Sequence, residues 1–142
     1  MITKEKAQEW IYWTATSIPD DVDKQYAYWN GEKWIENSAQ KLQDMKNRAI
    51  NQLWSNYKAF QRRYVDPEDL TMANTLALAK KPKGLAVRNW VFLLWDAYYV
   101  VRAQIVNATS VDAVNAIDIS VKSGIPPYTI KELNEEAKEM NS

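Results

Sequence analysis

The sequence contains neither cysteine nor histidine among its 142 residues. Without cysteine the chain can form no disulfide bond and has no thiolate nucleophile, and without either residue it has no zinc site of the usual type. Without histidine it has no imidazole to act as a general base, which excludes the Ser-His and Cys-His hydrolytic mechanisms. We therefore expect a protein that is not an enzyme and that uses neither a cofactor nor a metal ion.

An excess of charge of one sign is also missing, since 18 Lys and Arg residues are balanced by 18 Asp and Glu residues. Nucleic-acid-binding domains carry a basic excess, so nucleic acid is not an expected partner. The chain has only 3 glycines, and none of them belongs to a phosphate-binding loop motif. A small-molecule ligand is therefore not expected either.

Long hydrophobic runs are absent as well. The longest apolar stretch, Trp90 to Val101, has 12 residues and is interrupted by Asp96. A membrane-spanning helix needs about 20 apolar residues, so this stretch predicts a buried core helix and no membrane partner. The first residues lack the apolar core of a signal peptide. For Asp96, an ion pair with an arginine or exposure at the edge of the helix is favoured over a chemical role.

Tryptophan and tyrosine are abundant, with 7 and 8 residues against 2 phenylalanines. Several of them lie in residues 26–35, where aromatic, strand-favouring residues flank Asn30-Gly31. This dipeptide is typical of the type I′ turn of a two-residue β-hairpin loop. The predicted register places Ala27 opposite Trp34. An isolated hairpin is marginally stable in water, so one of its faces is expected to pack against the rest of the protein.

The aromatic side chains of this hairpin form the candidate interaction surface. In the predicted register Trp29 and Trp34 share one face, while Tyr26 and Tyr28 share the other. One face is expected to pack on a helix, and the other is suited to stacking on a sugar or anchoring a protein interface. With two aromatic residues of the first predicted helix, the predicted interface residues are Tyr12, Trp13, Tyr26, Tyr28, Trp29 and Trp34.

Apolar residues at helical spacing predict most of the remaining structure. The predicted helices cover 3–16, 38–64 and 85–108. A further helix is predicted to start at Asp66-Pro67 and to carry Lys80 and Lys81 at its end, with a short helix after Ser110 and a last one after Thr129. Ser38 is the predicted cap of the second helix and Asp66 that of the third. Pro82 and Gly84 are expected to end the third helix. The apolar stripe of residues 42–64 suits ordinary core packing better than a coiled coil, although self-association stays open.

The helix over 85–108 is apolar on nearly all sides, which predicts neighbours on more than one side. Its predicted buried centre consists of Trp90, Leu94, Trp95, Tyr98 and Val101. The predicted fold is mainly α, with about five helices packed around this central Trp-rich helix and one N-terminal β-hairpin. We expect a single domain, 1–142, in which 1–36 hold the first helix and the hairpin and 37–142 form the helical core.

Two passages resemble bacteriophage tail proteins. The Trp29 to Trp34 segment resembles the short Trp-x-Gly-x-x-Trp hairpins of tail-fibre and tail-associated proteins. The stretch from Arg48 to Met140, with Trp90 and Trp95 followed by Gly124-Ile125-Pro126-Pro127-Tyr128, is similar to small helical modules at the ends of some tail proteins. The resemblance includes no functional site, so it implies a context and no residue roles.

The resemblance implies a non-enzymatic virion structural protein that is tail-associated or part of a connector or fibre. Such a protein is expected to act through contacts with other virion proteins or with itself as an oligomer, and to be located in the virion. The alternative is a small phage-encoded inhibitor of the anti-defence type, which binds a host protein in the host cytoplasm. An enzyme that relies on carboxylates, Lys, Tyr or Mg²⁺ is a weaker third reading.

Overall fold

A computed structural model of the protein describes residues 18–141. The helix predicted over 3–16 lies outside these residues. The chain divides into two compact units, Met1–Met45 and Lys46–Ser142, and each unit is described below by itself. The division falls later in the chain than the sequence boundary at residues 36 and 37.

In chain order, the described residues form a 3₁₀ turn and two short strands followed by α-helices. These elements are the 3₁₀ turn Lys24–Tyr26, strands β1 (Ala27–Trp29) and β2 (Trp34–Glu36), and helices α1 (Ser38–Tyr64), α2 (Pro67–Leu78), α3 (Pro82–Asn107), α4 (Val111–Asn115) and α5 (Ile130–Met140). The predicted mainly α fold with one hairpin near the N-terminus is confirmed. Across residues 18–141, every helix is too short or too polar to cross a bilayer.

The hairpin forms, but its predicted turn and register are wrong. The strands are antiparallel with Trp29 opposite Trp34, so the loop has four residues instead of two. Only Gly31 of the dipeptide has a positive φ, at 100°, whereas a type I′ turn needs two. The Asn30 side chain explains the difference, because its Oδ1 accepts hydrogen bonds from the backbone N–H groups of Glu32 and Lys33, both at 2.9 Å. This bonding closes a wider turn.

Helix α1 begins at the predicted residue but with a different cap. The Oδ1 atom of Asn37 accepts a hydrogen bond from the backbone N–H of Gln40 at 3.1 Å, so Asn37 performs the capping that was predicted for Ser38. Both residue types are good N-caps. The backbone N–H of Asn37 also donates to the carbonyl of Tyr26 at 2.8 Å. Asn37 therefore links the end of the hairpin to the start of α1 through these two hydrogen bonds.

The connection between α2 and α3 differs from the prediction in the residues that end α2. The predicted Asp66 cap at the start of α2 is confirmed, and Asp69 bonds back to the Asp66 backbone to complete a capping box. At the other end, Pro82 and Gly84 do not end α2, because Pro82 is the first residue of α3. Instead, Lys80 adopts φ 60° and completes a Schellman turn, with N–H bonds from Lys80 to Ala77 and from Lys81 to Leu76.

The core of the Lys46–Ser142 unit is built on α3, as predicted. Of the predicted buried centre, Trp90, Leu94, Tyr98 and Val101 are buried and Trp95 is half-buried. They pack in one cluster with buried residues from the other helices, including Leu53, Tyr57, Leu76 and Leu133. The prediction that α3 has neighbours on more than one side is confirmed, since it packs against α2 and α5, but its remaining face carries exposed apolar side chains.

Two features fix the start of α3. Gly84 approaches α2 so closely that a Cβ atom at this position would lie 2.2 Å from the Cβ of Leu76. The buried carboxylate of Glu136, from α5, accepts hydrogen bonds from the backbone N–H groups of Lys83 at 3.1 Å and Gly84 at 3.0 Å. The N-cap residue Lys81 makes no side-chain cap. Glu136, although distant in the sequence, thus provides the N-terminal cap that the residues just before α3 do not provide.

Candidate interaction surfaces

The structure divides the six predicted interface residues into three groups. Tyr12 and Trp13 lie outside the described residues. Tyr28 is 48% exposed on β1, opposite Ile35. Trp29 and Trp34 are half-buried and pack edge to face, with ring centroids 5.8 Å apart. As predicted, these two tryptophans share one face of the hairpin, and Tyr28 lies on the other.

Tyr26 does not belong to the exposed surface, so that prediction is corrected. Its side chain is buried and its hydroxyl donates a hydrogen bond to Oδ2 of Asp44 at 2.9 Å. Asp44 lies in the first turns of α1. The 3₁₀ turn before β1 directs Tyr26 toward this helix, whereas the predicted two-residue loop kept it in the strand beside Tyr28.

A charge cluster around Lys41 fastens the base of the hairpin. Its Nζ lies 3.3 Å from a carboxylate oxygen of Asp23 and 3.5 Å from one of Glu36. Oε1 of Glu36 also accepts the backbone N–H of Asp23 at 2.8 Å. Burial acts to lower the pKa of Lys41, but the hydrogen bond to Asp23 and the charges of both acids raise the pKa above its usual value. The cluster is structural and binds the turn to β2 and α1.

Three of the remaining Trp and Tyr residues make structural contacts through their polar ends. The Tyr57 hydroxyl accepts the backbone N–H of Lys122 at 3.2 Å, and Trp90 Nε1 donates to the carbonyl of Gly124 at 2.8 Å. Trp95 Nε1 donates to the side-chain oxygen of Gln61. The first two contacts hold the extended connector before α5 against α1 and α3, and the third joins α3 to α1. They explain a preference for Trp and Tyr over Phe, because Phe has no polar end to anchor a backbone.

An exposed apolar surface that sequence reasoning missed lies on α3. We call it the α3 face and define it by the six exposed apolar side chains along one side of the helix. They are Leu85 (36% exposed), Phe92 (56%), Leu93 (67%), Tyr99 (58%), Val100 (61%) and Val106 (47%). Four of them, Leu85, Phe92, Tyr99 and Val106, recur at intervals of seven residues. This interval was the available signal, since it aligns residues along one side of a helix.

Charged side chains of α3 lie close to these apolar residues. Arg88 stacks over the ring of Phe92, with 5.6 Å between the guanidinium carbon and the ring centroid. Its Nε atom is buried and has no hydrogen-bond partner in the part of the chain that is described. Asp96 is exposed, as its structural interpretation predicted. Helical spacing places it between the Phe92–Tyr99 row and the Leu93–Val100 row.

Residues 18–141 contain no group of three acidic side chains that could hold a metal ion. What the structure brings together is apolar and aromatic surface in two places, the hairpin and the α3 face. Exposed aromatic and aliphatic side chains of this kind are suited to anchoring protein interfaces.

Comparison with known proteins gives no relative to guide the interpretation. No protein-family model, no curated protein and no solved structure matches this chain. Function is therefore inferred from the two surfaces and from the resemblance of the hairpin to tail-fibre hairpins.

Proposed function

We propose that this protein is a non-enzymatic structural component of a bacteriophage virion, associated with the tail or forming part of a connector or fibre. It works through protein contacts. The observation that carries the proposal is the α3 face, where four apolar side chains are more than half exposed. Soluble monomers rarely display apolar side chains in such a continuous row unless the row is an interaction site. The tail context comes from the Trp-x-Gly-x-x-Trp hairpin.

Within this proposal, the hairpin is the surface for other virion proteins. Tyr28 is its most exposed aromatic side chain, and the edge-to-face pair of Trp29 and Trp34 stiffens the strands that present it. A rigid aromatic residue loses little conformational entropy on binding, which suits it to an anchoring role.

Mass spectrometry of purified particles tests the proposal directly. A structural protein is expected at a fixed number of copies per particle. An inhibitor of a host protein is expected to be absent from particles, and absence from every preparation would reject the virion assignment.

Substitutions in the hairpin test the proposed surface. Tyr28→Ala is expected to weaken incorporation into particles by about 1 kcal/mol or more in binding free energy. Trp29→Ala and Trp34→Ala are expected to do the same, but each also removes the cross-strand pair. Ile125→Ala is the control, because Ile125 is 69% exposed in the connector and belongs to neither surface. Equal incorporation of all four variants would exclude the hairpin as the docking surface.

A further inference from the structure

We propose that the α3 face binds a second copy of this chain, with the two α3 helices antiparallel about a two-fold axis near Asp96. The inference deepens the proposed function by naming one partner, but it does not depend on the virion context. Its first support is the order of side chains in the seven-residue row. The row contains an aliphatic residue, two aromatic residues and a second aliphatic residue: Leu85, Phe92, Tyr99 and Val106.

An interface with two-fold symmetry must be complementary to itself. When the row is reversed, Phe92 lies opposite the partner's Tyr99 and Leu85 lies opposite the partner's Val106. Aromatic residues then meet aromatic residues, and aliphatic residues meet aliphatic ones.

The second row fits the same axis. Leu93 and Val100, which are 67% and 61% exposed, are centred within one residue of the midpoint of the first row. In the antiparallel arrangement Leu93 therefore lies opposite the partner's Val100. Two rows on different sides of the face thus share one symmetry axis, whereas an arbitrary partner helix places no such condition on both rows.

The size and charge of the surface suit a second copy. From Leu85 to Val106 the face is about 32 Å long and about 10 Å wide, a footprint on the order of 300 Å² per copy. For two copies the footprint is about 600 Å², below the roughly 1,200 Å² of stable specific interfaces and in the range of weak, transient ones. The zero net charge means that two copies do not repel each other at long range. We expect a reversible dimer with a dissociation constant roughly in the micromolar range.

The effect of substituting Asp96 on the affinity distinguishes a second copy of the chain from a basic partner protein. Because it lies near the two-fold axis, its carboxylate faces the partner's Asp96, and like charges in an interface oppose association. Asp96→Asn is therefore expected to tighten the dimer about tenfold. A basic partner protein on this face would give the opposite result, since it would lose a charge pair.

Sedimentation equilibrium of the full chain over a range of micromolar concentrations tests the dimer. The wild type is expected to pass from monomer to dimer, and Phe92→Gln with Tyr99→Gln to weaken association more than about tenfold. Leu78→Gln is the matched control, because Leu78 is 80% exposed but lies on α2. Circular dichroism checks that each variant keeps its helix content. A wild type that stays monomeric throughout, or a Leu78→Gln variant that is weakened equally, overturns the proposal.

Cysteine cross-linking tests the direction of the helices, and the cysteine-free chain makes it unambiguous. In the proposed dimer, Asp96→Cys places the two thiols on either side of the axis, so oxidation is expected to give a disulfide-linked dimer. Leu85→Cys places them on the order of 30 Å apart, so no cross-link is expected. A parallel arrangement would cross-link both variants and would overturn the antiparallel one. Particle composition is measured separately, so failure of the dimer and failure of the virion assignment are distinguishable.

Discussion

The two units of the chain are stabilised by different means. Among the described residues of Met1–Met45, Tyr26 is the one buried apolar side chain, and the hairpin is held by side-chain hydrogen bonds and by the charges around Lys41. In Lys46–Ser142, a continuous cluster of buried side chains packs along α3. A short hairpin cannot bury enough apolar surface for independent stability, so polar contacts specify its shape. The helical unit depends on burial.

The largest effect is expected where burial is complete. Leu94 is fully buried, so Leu94→Ala should lower the free energy of unfolding of the helical unit by about 3–5 kcal/mol through lost burial and the cavity left behind. Chemical denaturation followed by circular dichroism measures the change. Leu93→Ala is the control at low protein concentration, because the neighbouring Leu93 is 67% exposed. A loss below about 1 kcal/mol for Leu94→Ala would contradict the placement of the core.

An intermediate effect is expected at the one buried charged residue of the described chain. Glu136→Ala leaves the backbone N–H groups of Lys83 and Gly84 without their acceptor and should cost about 2 kcal/mol of unfolding free energy. The exposed neighbour Glu135 provides a control with the same change in helix propensity. Equal destabilisation by the two variants would mean that the remote cap contributes nothing.

A smaller and local effect is expected in the hairpin. Tyr26→Phe removes the hydrogen bond to Asp44 and should destabilise the hairpin by about 1 kcal/mol, while the helical unit keeps its stability. Hydrogen exchange of the β1 and β2 amides measures the local change. Tyr28→Phe, at an exposed site, should leave exchange unaltered. If Tyr26→Phe weakened the protection of α3 as well, the contrast between the units would be lost.

The smallest effect is expected from alkaline pH. Because the folded-state pKa of Lys41 is raised above 10.5, its contribution to the hairpin is fully present below that pH and is lost as the pH rises through the folded pKa. Comparing β1 and β2 exchange protection in wild type and Lys41→Met isolates this contribution from the titration of the tyrosines. Identical loss of protection in both proteins above pH 10.5 would show that Lys41 does not stabilise the folded hairpin.

Local sequence patterns predicted well where helices and strands form, and predicted less well which side chains and hydrogen bonds fix them. Asp66 caps α2 as predicted and forms a capping box with Asp69, and Thr129 forms a second box with Glu132 at the start of the predicted last helix. The hairpin exists where aromatic residues flank a turn, but its register depended on an Asn30 side chain that bonds two backbone groups. Such competition between local hydrogen-bonding patterns is not encoded in strand propensity.

The α3 face shows that amino-acid composition does not predict which apolar residues are buried. An apolar residue does not indicate by itself whether it packs inside the chain or awaits a partner, so Leu93 and Leu94 are equivalent in the sequence and opposite in exposure. Abundant Trp and Tyr predicted a rich aromatic surface at the hairpin. The structure instead uses Tyr57 and Trp90 to hold a connector, a long-range contact that periodicity cannot reveal.

The hydrogen bonds from Lys83 and Gly84 to Glu136 have a consequence for synthesis of the protein. A ribosome completes residue 84 more than fifty residues before it adds residue 136. Until then α3 exists without its cap, and its start can pair only with water or chaperones. The helical unit therefore reaches its final stability only after α5 has been synthesised, so folding of α3 is expected to finish only once residue 136 is available.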